Sequence, residues 1–326
     1  MSVLGRHSVR HAPQALRHDE STNRGYARYF GLQEAPFTNT PDSRYFFAHN
    51  SCQMALNTLM VATRGGEGFI KITGEVGTGK TLLCRKFLGI LDEDFITAYI
   101  PNPYLEPMTL LLAVADELGI SYPEHANQHQ LLKAFTNFLV ETYAQCQCTV
   151  VLCLDDAHAL PTETLEALRL LSNLETPRRK LIQLVLFGQP ELDRHLEQPS
   201  TRQLKQRISF SATLAPMSRS DLEDYIQHRL RTAGYQGPRL FSKQAVRLLF
   251  MATRGVPRLA NILAHKSLLA AYGEGARYIG ARHVQLAIAD TESLRMPARG
   301  YKRWLSYAAA LLGAAATSFA VRVWGS

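Results

Sequence analysis

Acidic residues are almost missing from both ends of this 326-residue sequence. Residues 1–28 hold five arginines against only Asp19 and Glu20, and residues 295–326 hold Arg295, Arg299, Lys302, Arg303 and Arg322 with no acid. These ends account for the whole net charge of +8, since 29–294 carries 26 basic and 26 acidic residues. A protein held to nucleic acid by charge alone would carry its excess on the folded body, so nucleic acid is not an expected partner. Cysteine is also scarce. Cys52, Cys84, Cys146, Cys148 and Cys153 are odd in number and contain no Cys-x-x-Cys pair, which argues against a disulfide framework or a zinc site. Cys146 and Cys148 read as two thiols at a helix end in a reducing compartment. Residues 1–25 lack an apolar run, so no secretory signal is expected there. They read as a disordered basic tail, or as sequence upstream of the true start. With 46% apolar and 20% charged residues, the body is globular and long enough to bury one large or two ordinary cores.

One long stretch has no charge at all. Residues 304–321 (WLSYAAALLGAAATSFAV) include seven alanines. Eighteen residues span roughly 27 Å as a helix, against a hydrocarbon core of roughly 30 Å. Basic residues flank the stretch, and Trp304 and Trp324 stand at its borders. A membrane anchor with the rest of the chain in the cytoplasm is the expectation; a soluble packing helix is the alternative.

Between the ends, strands and helices alternate. Short apolar strands are expected at 68–73, 96–100, 149–154 and 181–187, with a weaker one at 207–214. Helical spacing covers 80–91, 107–119, 128–145 and 161–174. That alternation predicts a parallel sheet with helices on both faces. From Ser218 on, only helical patterns follow. The expected organisation is a basic tail over 1–28, an α/β domain over 29–215, a small helical domain over 216–292, a basic linker over 293–303 and the candidate membrane helix.

The chemistry starts at Gly74-Glu75-Val76-Gly77-Thr78-Gly79-Lys80-Thr81. This loop follows a strand and opens a helix, as a phosphate-binding loop must. Glycines let backbone N–H groups turn toward phosphate oxygens, and the helix N-terminus adds partial positive charge. Lys80 is placed for the β- and γ-phosphates of ATP, and the Thr81 hydroxyl for Mg²⁺. A second strand, Val150 to Leu154, runs straight into Asp155-Asp156. Two carboxylates after five apolar residues are costly unless a cation or water meets them. Asp155 is expected to hold Mg²⁺, and Asp156 to act as the base that polarises the attacking water. Gln189, at the end of the next strand, is placed to sense the γ-phosphate. Gly255-Val256-Pro257-Arg258 starts a helix that presents Arg258 toward the nucleotide. Arg202 and Arg207 precede the last strand, and Arg207 is the preferred candidate for an arginine acting on a neighbouring subunit's ATP.

Taken in order, these stretches resemble the AAA+ ATPases of the general secretion pathway protein A type. The likeness runs from about residue 29 to 290 and includes "YFGLQEAPFTNTPDSRYFF", "GEGFIKITGEVGTGKTLLCRKFL", "LVLFGQPELDRHL" and "GVPRLANILAHKSLL". It implies a P-loop AAA+ fold with a helical lid, Mg-ATP hydrolysis and a homo-oligomeric ring. It also implies partners among inner-membrane components of a type IV pilus or type II secretion system. Gly74 to Thr81 then falls at Walker A, Asp155-Asp156 at Walker B, Gln189 at sensor 1 and Arg258 at sensor 2. The second Walker B acid in that family is usually glutamate, so Asp156 is one methylene short. Slow hydrolysis, or a nucleotide-gated scaffold, is therefore an alternative, as is a DNA-handling transposition helper built on the same core. Some longer relatives continue past a membrane segment into a periplasmic peptidoglycan-binding domain. This sequence ends four residues after Arg322, so cell-wall binding is not expected.

Overall fold

A computed structural model describes residues 25–101, 104–175 and 180–291. Five strands form one sheet: β1 (Phe69–Gly74), β2 (Phe95–Ile100), β3 (Thr149–Leu154), β4 (Ile182–Gly188) and β5 (Ile208–Leu214). Their spatial order is β2-β3-β4-β1-β5, and every pairing is parallel. All positions of β3 and β4 are buried, while β5, at one edge, buries only its last residue fully and exposes every second one before it. A strand covered on both faces needs a continuous apolar run, and an edge strand does not. That difference explains why 207–214 gives the weaker signal in the sequence.

Side chains alternate across the sheet. Val150, Leu152 and Leu154 enter one core with Leu110, Leu131, Phe135 and Leu165. These come from α3 (Pro107–Glu117), α4 (Gln128–Cys146) and α5 (Thr162–Leu171). Val151 and Cys153 enter the other core with Leu56, Leu59, Leu83 and Phe87, from α1 (Asn50–Arg64) and α2 (Lys80–Leu88). The expected three layers are present. Helix α1 was not foreseen, although Cys52, Ala55, Leu56, Leu59, Ala62 and Thr63 form its buried stripe. Two short helices, α6 (Glu191–Leu196) and α7 (Arg202–Lys205), link β4 to β5.

A third core belongs to the helical part: α8 (Arg219–Thr232), α9 (Lys243–Thr253), α10 (Pro257–Gly273) and α11 (Ala281–Ala289). It also takes in Tyr26, Phe30, Leu32, Phe37 and Tyr45 from the opening segment. Arg229, 4% exposed, clamps that segment. Its guanidinium donates to Pro36 O, Thr38 O and Tyr225 Oη, and lies over the Tyr45 ring at 4.4 Å. The expected tail through residue 28 therefore stops earlier, because Tyr26 and Ala27 are buried. The opening segment, expected with the α/β layer, is packed on the helices. Cys146 and Cys148, expected as free thiols, form a bonded pair.

Residues 1–24, the linker 293–303 and the apolar stretch 304–321 lie outside the described residues. Among the described residues, no helix is long and apolar enough to cross a membrane.

Two histidines beside the clamp give a pH prediction. Burial holds His49 and His228 below the ordinary imidazole value; Asp221 partly offsets this at His49, and Arg229 reinforces it at His228. The unfolded chain then takes up protons first, so stability present at neutral pH is lost as pH falls through the ordinary value near 6.5. Urea unfolding between about pH 7.5 and about pH 5.5 should show that loss, and it should shrink in His49→Gln/His228→Gln. An equal loss in the variant would remove these two groups as the cause.

Candidate active site

Ligand sites in open parallel sheets lie beyond the carboxyl ends of the strands. Here those ends gather the glycine loop after β1, the two aspartates after β3 and Gln189 after β4. In the loop, Gly77 and Gly79 have φ of 81° and 98°, which side chains rarely tolerate. A Cβ on Gly77 would also stand 2.6 Å from Arg258 Cβ. The start of α10 is pressed against the loop, and Arg258 N–H donates to Gly77 O at 3.2 Å. Gly255 makes that approach feasible. It has φ of 78°, and a Cβ there would come within 2.0 Å of Met217 O. Arg258 thus reaches the loop through its backbone N–H and Cβ, with its side chain exposed.

Lys80 is 7% exposed, and its Nζ donates to Gly74 O at 2.7 Å and Glu75 O at 3.0 Å. Burial lowers its pKa, opposed by the charges of Asp156, Asp155, Glu75 and Glu191. Thr78 is buried, with its hydroxyl on Glu75 O at 2.8 Å, while Val76 is exposed.

Asp155 is 2% exposed. Burial pushes its carboxyl up; a hydrogen bond from Thr81 opposes this, and the Asp156 charge adds to it. Its Oδ1 accepts from Asp156 N at 3.0 Å and its Oδ2 from Tyr99 Oη at 3.3 Å. The two expected Mg²⁺ ligands, Thr81 and Asp155, are therefore in contact. A buried carboxylate that resists ionisation fits a cation site, because a bound cation would relieve the cost. Asp156 sits in the left-handed region at φ 51° with its side chain 54% exposed.

Two residues with no expected role join the cluster. Tyr99, at the end of β2, is pushed up to about 12, mainly by burial and then by Asp155. A lone tyrosine at a strand end carries no sequence signal. His158 lies in a single turn, Ala157–Ala159, and its Nε2 is 2.7 Å from Gln189 Nε2. Arg207 is not in this cluster. It stands before β5, at the opposite end of a strand about 20 Å long, and donates to Ser172 Oγ at 2.6 Å.

A parallel sheet in this order, with a glycine loop on one strand end and paired acids on another, defines a P-loop AAA fold. Residues 63–196 match the family described as AAA domain. General secretion pathway protein A of Aeromonas hydrophila is 38% identical over 270 residues, covering 83% of this chain and 49% of that protein. The chain thus carries an AAA domain similar to that relative's, and spans about half its length. Solved structures agree on the fold. Cdc6p of Pyrobaculum aerophilum has a TM-score of 0.60 at 20% identity, covering 76% of this chain and 70% of that one. The ORC2 protein of Aeropyrum pernix, in its ADPNP–ADP complexes, has 0.55 at 16%, covering 78% and 70%.

The buried acid yields a test. Asp155→Asn removes a charge that burial disfavours, so the nucleotide-free, metal-free protein should gain on the order of 1 kcal/mol and melt roughly 2–4 °C higher near pH 7. The same change should weaken Mg-ATP binding. A lower melting temperature would mean that Asp155 is stabilised by its hydrogen bonds more than it is penalised by burial.

Proposed function

We propose that this chain is a Mg-ATP-hydrolysing AAA+ ATPase that works as a homo-oligomeric ring. The observation that carries the reading is the gathering of Lys80, Thr81, Asp155, Asp156 and Gln189 at the carboxyl ends of β1, β3 and β4, with Arg258 docked on the glycine loop. The backbone N–H groups of Gly74 to Thr81 cradle the phosphates. Lys80 exchanges its carbonyl partners for phosphate oxygens. Thr81 and Asp155 would hold Mg²⁺, which supplies neutralisation of phosphate charge. Asp156 takes the position of the general base, and Gln189 orients the γ-phosphate or the attacking water. Arg258 and α10 report nucleotide state to the helical lid. Arg207, remote from its own site, is free to serve a neighbour's.

The cellular reading follows the resemblance. The chain assists assembly of a type IV pilus, like the MSHA (mannose-sensitive haemagglutinin) pilus protein MshM, or of type II secretion machinery. It does so on the cytoplasmic side of the bacterial inner membrane, or as a cytoplasmic protein if 304–321 is no anchor. The sequence of 304–321 supports an anchor, and inner-membrane assembly components are the partners. The solved structures share a fold at low identity and carry no argument for DNA as substrate. One observation favours a second reading. Aspartate at 156 shortens the base, and misplacement by about an ångström can cost on the order of 100-fold, which would leave a nucleotide-gated scaffold. Asp156→Glu would then raise turnover.

Steady-state turnover per subunit of the full chain should climb with protein concentration, and Lys80→Ala should lower it about 100-fold. Arg207→Ala should also be inactive, yet mixing it with Lys80→Ala should recover activity, since each supplies what the other lacks. Bound ATP with flat, near-zero turnover would leave the scaffold reading. For the anchor, the full chain should resist carbonate extraction from membranes, and deletion of 304–326 should release it. A fully soluble full-length protein would remove the anchor.

A further inference from the structure

His158 stands between the two groups that the ATPase reading places around the attacking water, and nothing in that reading uses it. Its Nε2 lies 2.7 Å from the amide nitrogen of Gln189. With the amide in this orientation the Gln189 nitrogen donates and this ring nitrogen accepts, an assignment that puts the ring proton on Nδ1. Nδ1 is buried and has no hydrogen-bond partner. It faces Asp156 Oδ1 at 3.9 Å, beyond hydrogen-bond reach. A buried N–H without a partner calls for an explanation, and the carboxylate it faces is that of the base itself. The Asp156 side chain is half exposed, so its carboxylate is not locked away from the ring by packing. Local structure favours the arrangement. Asp156 in the left-handed region starts the turn that carries His158, and a Cβ on Gly188 would come within 3.3 Å of His158 N, so the glycine lets that turn lie against the end of β4.

We propose that His158 is a positioning residue that links Gln189 to Asp156. Gln189 fixes the imidazole, and the imidazole Nδ1–H holds the Asp156 carboxylate. The link suits a base that is one methylene short, because a carboxylate near its own backbone needs orienting toward the water. It also makes alignment of the base depend on where Gln189 points. This inference rests on the ATPase reading, and the first measurement below does not need turnover.

Side-chain ¹⁵N–¹H correlation spectra of the full chain, with His158→Asn to assign the signal, should show the Nδ1–H tautomer. Gln189→Ala should shift it toward Nε2–H. An Nε2–H tautomer in the unaltered protein overturns the proposal, whether or not ATP is hydrolysed. In kinetics, His158→Leu should lower kcat about tenfold to 100-fold while the ATP dissociation constant stays within about twofold. His158→Asn, which keeps an amide N–H where Nδ1 stands, should recover part of that loss. Losses of His158→Leu and Gln189→Ala should fall short of additive in the double variant. Additive losses, or unchanged kcat in His158→Leu, overturn the link. A wild-type protein that binds no ATP instead overturns the ATPase reading and leaves the tautomer result to judge the contact.

Discussion

An ammonium group taken out of water must be met by compensating charge or dipoles, and Lys80 is met by both. Two loop carbonyls hold it, and four carboxylates raise its pKa against burial. That balance ties three strand ends together. The carbonyls come from the turn after β1, and two of the carboxylates come from the end of β3. The parallel order, with β4 between β3 and β1, sets the spacing at which these charges feel one another. It also sends Gln189 out between them. The loop cannot open or tighten without disturbing the acids, because the lysine is shared.

The helical part is coupled to the same point by sterics more than by charge. Gly77 has no side chain where Arg258 passes, and Gly255 has none where Met217 O passes. These two close approaches seat the first turn of α10 on the phosphate loop. The same helices are joined to the opening segment by Arg229, whose guanidinium is satisfied by carbonyls, a tyrosine hydroxyl and an aromatic face together. A movement of the glycine loop therefore meets helices packed on one shared core.

Much of this was legible in the residues. All five strands fall on the apolar runs read from the sequence, and three of them, β1, β3 and β4, end on or run into glycine or acid. Other parts were not legible, for physical reasons. Strand order depends on contacts that no local pattern encodes. Phe30, Leu32 and Phe37 announce burial but not which core receives them, and they went to the helices. Tyr99 acts by its position next to β3, where Tyr99 and Cys153 are in register, and a single tyrosine has no periodicity to betray it. His158 follows Asp156 by two residues, but its partner Gln189 lies 31 residues away, beyond the reach of any local pattern.

The packing of Tyr26 to Tyr45 on the C-terminal helices bears on how the chain is made. Tyr26 Oη meets His265 Nδ1 at 3.1 Å across 239 residues, so the sheet is an insert between two halves of one helical unit. During synthesis the strands and their helices emerge with all their own partners and can fold as they leave the ribosome. The opening segment must wait, its aromatic side chains unburied, until α8 to α11 have been translated. The ends of that long loop then have to find each other at a cost that grows only slowly with length. Closure of this collar therefore has to follow translation of α8 to α11, and a nascent chain paused within the sheet would present the segment to whatever else can cover it.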